Sequence, residues 1–223
     1  MARVKYLAPS KAGCLIRIKS AMDSFKPSER TIAEFVLKNP ERVVQMSISE
    51  LARDVEVGES GGKTDFQYGA VPATLYAPTK VDRVLQDGEE VKLGGAVLVA
   101  HLTPGHTKGC TTWTMKVQEA GKTYNVVIIG SPNVNPGYRL VNNTAYPQIA
   151  ADYEKMFRVL KSLPCDIFLG AHGSYFDLET KYARMKESGR TAFVDPEGYK
   201  KYVAEKEQAF RNELAKQRAA LTK

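Results

Sequence analysis

The sequence predicts an α/β protein that begins with a helical segment, and three observations lead to this fold class. Apolar residues between Cys14 and Val57 recur with the spacing of an α-helix. In 81–130 they follow the shorter period of β-strands, and from 148 onward helical spacing returns around one further strand. Because helix and strand alternate in the second part, we expect a layered α/β core there.

The composition is that of an ordinary globular protein, since 43% of the 223 residues are hydrophobic and 26% are charged. No apolar run reaches the ~18 residues of a membrane span, and the opening segment lacks the apolar core of a signal peptide. We therefore expect a soluble, cytoplasmic protein with no membrane partner. The net charge of +7 is spread along the chain. This distribution mainly indicates a role in solubility, and secondarily a surface that attracts anions.

The cysteines exclude two classes of small protein. Cys14, Cys110 and Cys165 are an odd number, are widely spaced and form no CxxC pair. Neither a disulfide framework nor a zinc ribbon is indicated, and buried thiols are the favoured interpretation.

The helical first part ends in a glycine-rich passage. Ser47 to Glu50 has the form of a capping box, in which the serine accepts from the first turn and the glutamate reaches back. The passage "GESGGKTDFQYGAVPA" begins at Gly58 and reads as a junction. We place the domain boundary there, with a helical segment in 1–58 and the α/β domain in 59–223.

The strands and helices of the second part are predicted in order. Three short strands in 81–102 should be joined at Asp87-Gly88 and Gly94-Gly95, and a hairpin should turn at Ala120-Gly121. The segment 148–163 predicts a helix, "CDIFLG" a strand and "AHGSYF" a loop. Asp177 and Asp195-Pro196 are expected to cap two final helices, the last of which is highly charged with one apolar stripe.

One stretch, "HLTPGHTKGC" at 101–110, has the composition of a metal-binding turn, although the chain has only three histidines. His106 stands between a Pro-Gly turn and a threonine at the end of an apolar run. His101 lies at the end of the preceding strand, where a packed or surface histidine is favoured over a ligand.

The stretches "HLTPGHTKGCTTWTM", "GSPNVNPGY", "YPQIAADYEKMFRVLKSLPCDIFLGAHGSYF" and "FVDPEGYKKYVAEKEQAF" resemble the C-terminal two-thirds of a subclass B3 metallo-β-lactamase. The resemblance implies a truncated metallo-β-lactamase sandwich of the αββα type, here with an N-terminal helical segment. The family uses a pair of zinc ions and a metal-bound hydroxide to open the β-lactam amide. Matched to the family, His106 and His172 resemble ligands of different zinc ions. Ser131 and Asn133 fall in the loop that binds the substrate carboxylate or orders water.

The sequence departs from the family at its first metal motif. That motif, HxHxDH, supplies protein ligands to both zinc ions. This chain contains no HxH, HxD or DH. A catalytic zinc needs three protein ligands and an open position, so one remaining histidine per metal cannot hold zinc tightly. We expect no fully occupied metal site, and weak or partial zinc at His106 and His172 at most.

The first part carries a second resemblance. "CLIRIKSAMDSFKPSERTIAEFVLKNPERVVQMSISELARDVEV" resembles the N-terminal part of the helix-turn-helix domain of RpiR-type regulators, so the chain is similar to a gene fusion. The helix that would read bases in the major groove has no counterpart before the lactamase-like part begins. We therefore expect no sequence-specific DNA binding, and helices that cover part of the sheet.

These inferences predict a β-lactamase-like hydrolase that opens the β-lactam amide without an intact dinuclear zinc centre, an activity that would confer antibiotic resistance. A half-sandwich leaves apolar surface, so we also expect a homo-oligomer. Two alternatives remain open: a zinc hydrolase whose site is rebuilt across an oligomer, and a non-catalytic fusion protein with residual ligand or weak nucleic-acid binding. The predicted catalytic residues are His172, Tyr175, His106 and Tyr138, and the predicted substrate-binding residues are Ser131, Asn133 and Lys108.

Overall fold

The computed structural model describes Lys19, Met22–Ser24, Arg30, Glu34, 59–81, 83–93 and 95–221. The chain divides into two compact units, Met1–Met46 and Ser47–Lys223. In the first unit a 3-10 turn spans Met22–Ser24, and Arg30 donates to the carbonyl of Met22 over 3.0 Å. Most of the predicted helical segment, including the capping box at Ser47 to Glu50, lies outside the described residues.

The second unit is built on a mixed sheet. In the part of the chain that the structure describes, the strands are β1 (Glu90–Leu93), β2 (Ala96–Leu102), β3 (Thr111–Glu119), β4 (Lys122–Ile129) and β5 (Ile167–Gly170). They lie side by side in chain order. The first four strands pair with one another in antiparallel fashion, whereas β5 runs parallel to β4. A helix connects these two strands, as parallel pairing requires a crossover.

The predicted hairpin is confirmed. Ala120 and Gly121 both have positive φ, at 50° and 78°, as a two-residue turn between twisted strands requires. Glu119 therefore pairs directly with Lys122, and the register continues to Trp113 opposite Ile128.

The prediction of three strands in 81–102 is wrong, because the first of them does not form. Gly88 and Gly95 take the expected positive φ, but the described residues before Gly88 are not a strand. Only Leu85 is buried there, whereas Val84 is exposed, so the segment has too little apolar surface to be held on the sheet. The Asp87 side chain instead accepts from the amide of Leu102, where a strand partner would otherwise stand.

In the described chain, α1 (Ile149–Ser162) lies between β4 and β5, and α2 (Leu178–Ser188) and α3 (Pro196–Ala220) follow β5. Short 3-10 helices at Gly173–Tyr175 and Gly189–Phe193 lie before and after α2. All three predicted α-helices are confirmed. Among the described residues, no helix is both long enough and apolar enough to cross a membrane.

The two predicted helix caps differ. The Asp195 carboxylate accepts from the amide of Gly198 over 2.9 Å, which confirms the cap of α3. Asp177 stands at the N-cap of α2 but makes no side-chain hydrogen bond to it. Its backbone is left-handed, with φ at 54°, which differs from the extended conformation of a capping residue. The predicted cap at Asp177 is therefore wrong.

The main core lies between α1, α3 and one face of the sheet. Val127, Ile129 and Phe168 belong to this face. The helices contribute Ile149, Tyr153, Met156, Phe157 and Leu160 from α1, and Tyr199, Val203, Phe210 and Leu214 from α3. A smaller cluster on the other face contains Leu85, Ala100 and Trp113. The apolar stripe predicted for the last helix is thus a core face.

Candidate functional site

Three loops meet at one edge of the sheet. Because β2 and β4 are both antiparallel to β3, and β5 is parallel to β4, the carboxyl ends of β2, β4 and β5 share this edge. The loops are 103–110, 130–138 and 171–176, and we call the site that they form the three-loop cleft. Hydrogen bonds join the first loop to the second and the second to the third.

His106 is fixed by the second loop. Its Nδ1 lies 2.8 Å from the backbone carbonyl oxygen of Asn133. A carbonyl oxygen can only accept, so Nδ1 carries the proton and Nε2 has the free lone pair. Burial lowers the pKa of His106, and the hydrogen bond to Asn133 partly opposes this change. The neutral imidazole thus has an acceptor nitrogen that is not used by the protein fold in the described residues.

Tyr138 contacts His106 through both its ring and its hydroxyl group. Its ring stacks on the His106 ring with the centroids 5.7 Å apart, and its hydroxyl donates to the His106 carbonyl over 2.9 Å. Tyr138 is almost fully buried. The sequence predicts this tyrosine as a catalytic residue, and these contacts favour a role in positioning His106.

A cluster of polar side chains joins the second and third loops. The Tyr175 hydroxyl accepts from the Asn133 side-chain amide over 2.8 Å. The same hydroxyl lies 3.1 Å from Ser131 Oγ. Three of the predicted site residues are therefore in direct contact.

His172 completes the third loop. It is exposed, and its ring meets the Tyr175 ring edge to face with the centroids 5.0 Å apart. Its charge contributes to lowering the pKa of His106, so the two imidazoles are electrostatic neighbours.

Two further residues considered from the sequence make no hydrogen bond to this group among the described residues. The Lys108 side chain is exposed, and its Nζ is 5.7 Å from the centre of the Tyr146 ring. His101 Nε2 hydrogen-bonds to Thr114 Oγ1 across the β2–β3 pair over 2.8 Å. The second contact is that of a packed histidine.

Sequence reasoning missed the residues that come to the cleft from the glycine-rich junction. Phe66 meets the rings of Tyr138 and Tyr146 edge to face at 5.5 and 5.0 Å. The Tyr68 hydroxyl accepts a hydrogen bond from the Asn135 side chain over 3.2 Å. The negative charge of Asp65 acts to raise the pKa of His106. The only local signal was a pair of aromatic residues within an otherwise turn-like segment.

Comparisons with known proteins found matches for two parts of the chain. Residues 12–61 match the helix-turn-helix domain of the rpiR family. The C-terminal part is similar to the native metallo-β-lactamase of Legionella gormanii, with 54% identity and a TM-score of 0.73 over 74% of this chain and 63% of that one.

Two further solved structures are similar over the same part. The metallo-β-lactamase of Cronobacter sakazakii with the HARLDQ motif is 38% identical, with a TM-score of 0.69 over 75% of this chain and 63% of that one. A subclass B3 metallo-β-lactamase of Bradyrhizobium japonicum is 34% identical, with a TM-score of 0.68 over 76% of this chain and 63% of that one.

These similarities confirm the predicted α/β class and both resemblances. The chain joins a segment that matches an RpiR-type helix-turn-helix domain to a part of the metallo-β-lactamase fold. It spans less than two thirds of the length of these lactamases.

The zinc pair that this fold family implies does not fit the donor set of the described residues. No three His, Cys, Asp or Glu side chains in that part of the chain are grouped to hold a metal ion. His106 can offer only Nε2, since Nδ1 is bonded to Asn133. With His172 this makes a pair of imidazoles, which is fewer than the three protein ligands of a catalytic zinc.

Proposed function

We propose that this chain, a fusion of RpiR-like and metallo-β-lactamase-like parts, hydrolyses β-lactam amides in the three-loop cleft without an intact dinuclear zinc centre. The observation that carries the proposal is the hydrogen bond from His106 Nδ1 to the Asn133 carbonyl, which leaves Nε2 as a proton acceptor. The similarity to lactamases supports the choice of substrate.

His106 acts as the general base in this proposal. Nε2 takes a proton from a water molecule while the water oxygen attacks the lactam carbonyl carbon. The C–N bond then breaks, its electron pair goes to the ring nitrogen, and that nitrogen takes the proton from the imidazolium. The product is the ring-opened amino acid, and release of ring strain favours its formation.

The polar side chains of the cleft would bind the substrate and the developing oxyanion. Ser131, Asn133 and Tyr175 present hydroxyl and amide groups that are already oriented by their mutual hydrogen bonds. Preorganised donors of this kind stabilise an oxyanion better than mobile water. Lys108, whose exposed ammonium lies 5.7 Å from the centre of the Tyr146 ring, would attract the substrate carboxylate.

The test is turnover of a chromogenic β-lactam such as nitrocefin by the full chain after treatment with EDTA. Because a general base contributes roughly 10²–10⁴-fold to the rate, His106→Ala should lower kcat/KM by about a hundredfold. His101→Gln is the matched control, since it changes a histidine that bonds to Thr114, and it should keep its activity. Equal losses in both variants would contradict the role of His106.

The same experiment separates the alternatives. His106 and His172 are electrostatic neighbours, so a second chain that added ligands would rebuild a zinc site between them. Such an enzyme would lose turnover with EDTA and regain it with added zinc. A non-catalytic fusion would show no turnover under either condition.

A further inference from the structure

Tyr153 of α1 reaches under the three-loop cleft from the core. Its hydroxyl donates to the Asn133 backbone carbonyl over 2.6 Å, and the residue is completely buried. This carbonyl is the one that accepts from His106 Nδ1. A single oxygen atom therefore accepts hydrogen bonds from the proposed base, His106, and from a tyrosine of the core.

The Tyr153 ring also supports the loop that carries His106. A Cβ added to Gly105 would lie 2.9 Å from Tyr153 Cγ and 3.0 Å from Met156 Cε, so the turn lies directly on α1. Gly105 has φ at 143°, a conformation that side-chain-bearing residues rarely adopt. The same tyrosine is thus in contact with the first loop through its ring and with the second through its hydroxyl.

The scaffold holds Tyr153 firmly. Its ring stacks on Phe157 of the same helix at 6.4 Å and on Phe210 of α3 at 5.0 Å. Burial raises the pKa of its phenol well above the usual range, so the hydroxyl keeps its proton and donates it. The position of the Asn133 carbonyl is consequently set by the packing of α1 against α3.

We propose that Tyr153 is a positioning residue, which fixes the Asn133 carbonyl so that His106 keeps its proton on Nδ1 and presents Nε2 as the acceptor. The effect of Tyr153 on catalysis rests on the proposed function. Its effect on the tautomer of His106 does not. The preference matters because an unrestrained neutral histidine favours the opposite tautomer, with the proton on Nε2.

The experiment reads the tautomer directly. The full chain has three histidines, so their ring nitrogens can be assigned in ¹⁵N-labelled protein by NMR at a pH where they are neutral. The wild-type spectrum should show His106 with a protonated Nδ1 and an unprotonated Nε2. A wild-type His106 protonated on Nε2 would overturn the proposal without any variant.

Tyr153→Phe removes the hydroxyl and keeps the ring. It should move the His106 population toward the Nε2-protonated tautomer and lower kcat about fivefold with KM unchanged. Tyr199→Phe is the matched control, because that buried hydroxyl also donates to a backbone carbonyl, that of Leu160, over 2.7 Å. The control should show neither effect, although both variants lose one buried hydrogen bond.

The outcomes distinguish this inference from the proposed function. A change of tautomer in Tyr153→Phe, in a protein that does not turn over β-lactams, supports the positioning role and contradicts the proposed function. An unchanged tautomer in a folded Tyr153→Phe variant contradicts the positioning role, whatever the activity is.

Discussion

Tyr175 is the residue that connects most of the polar groups of the three-loop cleft. Its hydroxyl contacts Ser131 and Asn133, and its ring contacts His172. The ring also packs on Tyr202, with the centroids 5.2 Å apart. Substitutions at this residue therefore separate the effect of the hydroxyl from that of the ring.

We predict that Tyr175→Phe and His172→Ala each lower turnover of a chromogenic β-lactam by about tenfold or more, which is about 1.4 kcal/mol in barrier. Tyr175→Phe leaves the Asn133 amide and the Ser131 hydroxyl without their shared partner. Thr180→Ala is the control, because Thr180 is exposed on α2. If both cleft variants keep full activity, the catalytic site lies elsewhere in the chain.

The same side chains lead to a prediction of the zinc content. Because His106 and His172 are the only ligand-like positions that the resemblance leaves, we expect well under one equivalent of tightly held zinc per chain. Elemental analysis after exhaustive dialysis measures this content. A pair of zinc ions per chain would contradict the prediction and favour a site rebuilt between chains.

An ion pair with a buried ammonium group joins α2 to the beginning of α3. Lys181 of α2 is 3% exposed, and its Nζ lies 2.7 Å from a carboxylate oxygen of Asp195. The ammonium also lies 5.9 Å from the centre of the Phe168 ring on β5. Asp195 in turn caps α3, so one carboxylate holds the end of one helix and the side chain of another.

We predict that Asp195→Asn destabilises the protein more than Lys181→Met. The first variant leaves a buried ammonium without its charged partner, which costs about 2–4 kcal/mol, although asparagine can still cap the helix. The second removes the buried charge and leaves a carboxylate that is one-third exposed and still bonded to Gly198, which costs about 1 kcal/mol. Urea denaturation at pH 7 measures both values, and the reverse order would contradict this account.

The same pair makes stability depend on pH in a defined direction. The hydrogen bond from Lys181 lowers the pKa of Asp195 below its usual value. The stabilisation is therefore complete above the pKa of an unfolded aspartate, about 3.9, and is lost as the pH falls through the lower folded-state pKa. The difference in unfolding free energy between wild type and Asp195→Asn should thus shrink in acid, and a difference that stays constant to pH 3 would refute the assignment.

For the whole molecule, the described sheet has helices on one face and a small apolar cluster on the other. That cluster adds the partly buried Val91, Leu98 and Ile128 to Leu85, Ala100 and Trp113. The match covers 63% of the length of the lactamases from Legionella gormanii and Bradyrhizobium japonicum. Exposed apolar surface on a sheet favours association.

We therefore predict a homo-oligomer, as the sequence suggests. Light scattering on the purified chain should give a mass that is a multiple of 24.7 kDa. A monomeric mass at micromolar concentration would mean that the chain covers its own apolar surface.

The helix-turn-helix match raises the question of DNA. Because the sequence predicts no helix that would read bases, we expect only weak, electrostatic binding that arises from the net charge of +7. Affinity for an unrelated duplex should fall by about tenfold or more between 50 and 200 mM salt. A footprint on one defined sequence at about 150 mM salt would show that specific recognition has survived.

Local signals in the sequence determined much of the second unit. The helix Ile149–Ser162, the turn at Ala120-Gly121 and the cap at Asp195 each depend on residues a few positions apart, and all were predicted. Local signals failed where strand formation depends on burial of apolar side chains on the sheet. The strand expected before Gly88, which does not form, is the example.

The residue types of the three-loop cleft also followed from the sequence, because His106, Ser131, Asn133, His172 and Tyr175 lie in motifs that resemble a known family. Only the tertiary structure decided how they connect. The contacts of His106 with Asn133 and of Tyr175 with Ser131 join residues 27 and 44 positions apart in the chain. The proton on Nδ1 and the role of Tyr153 follow from such contacts, and no local pattern encodes them because they depend on how helices pack beneath the loops.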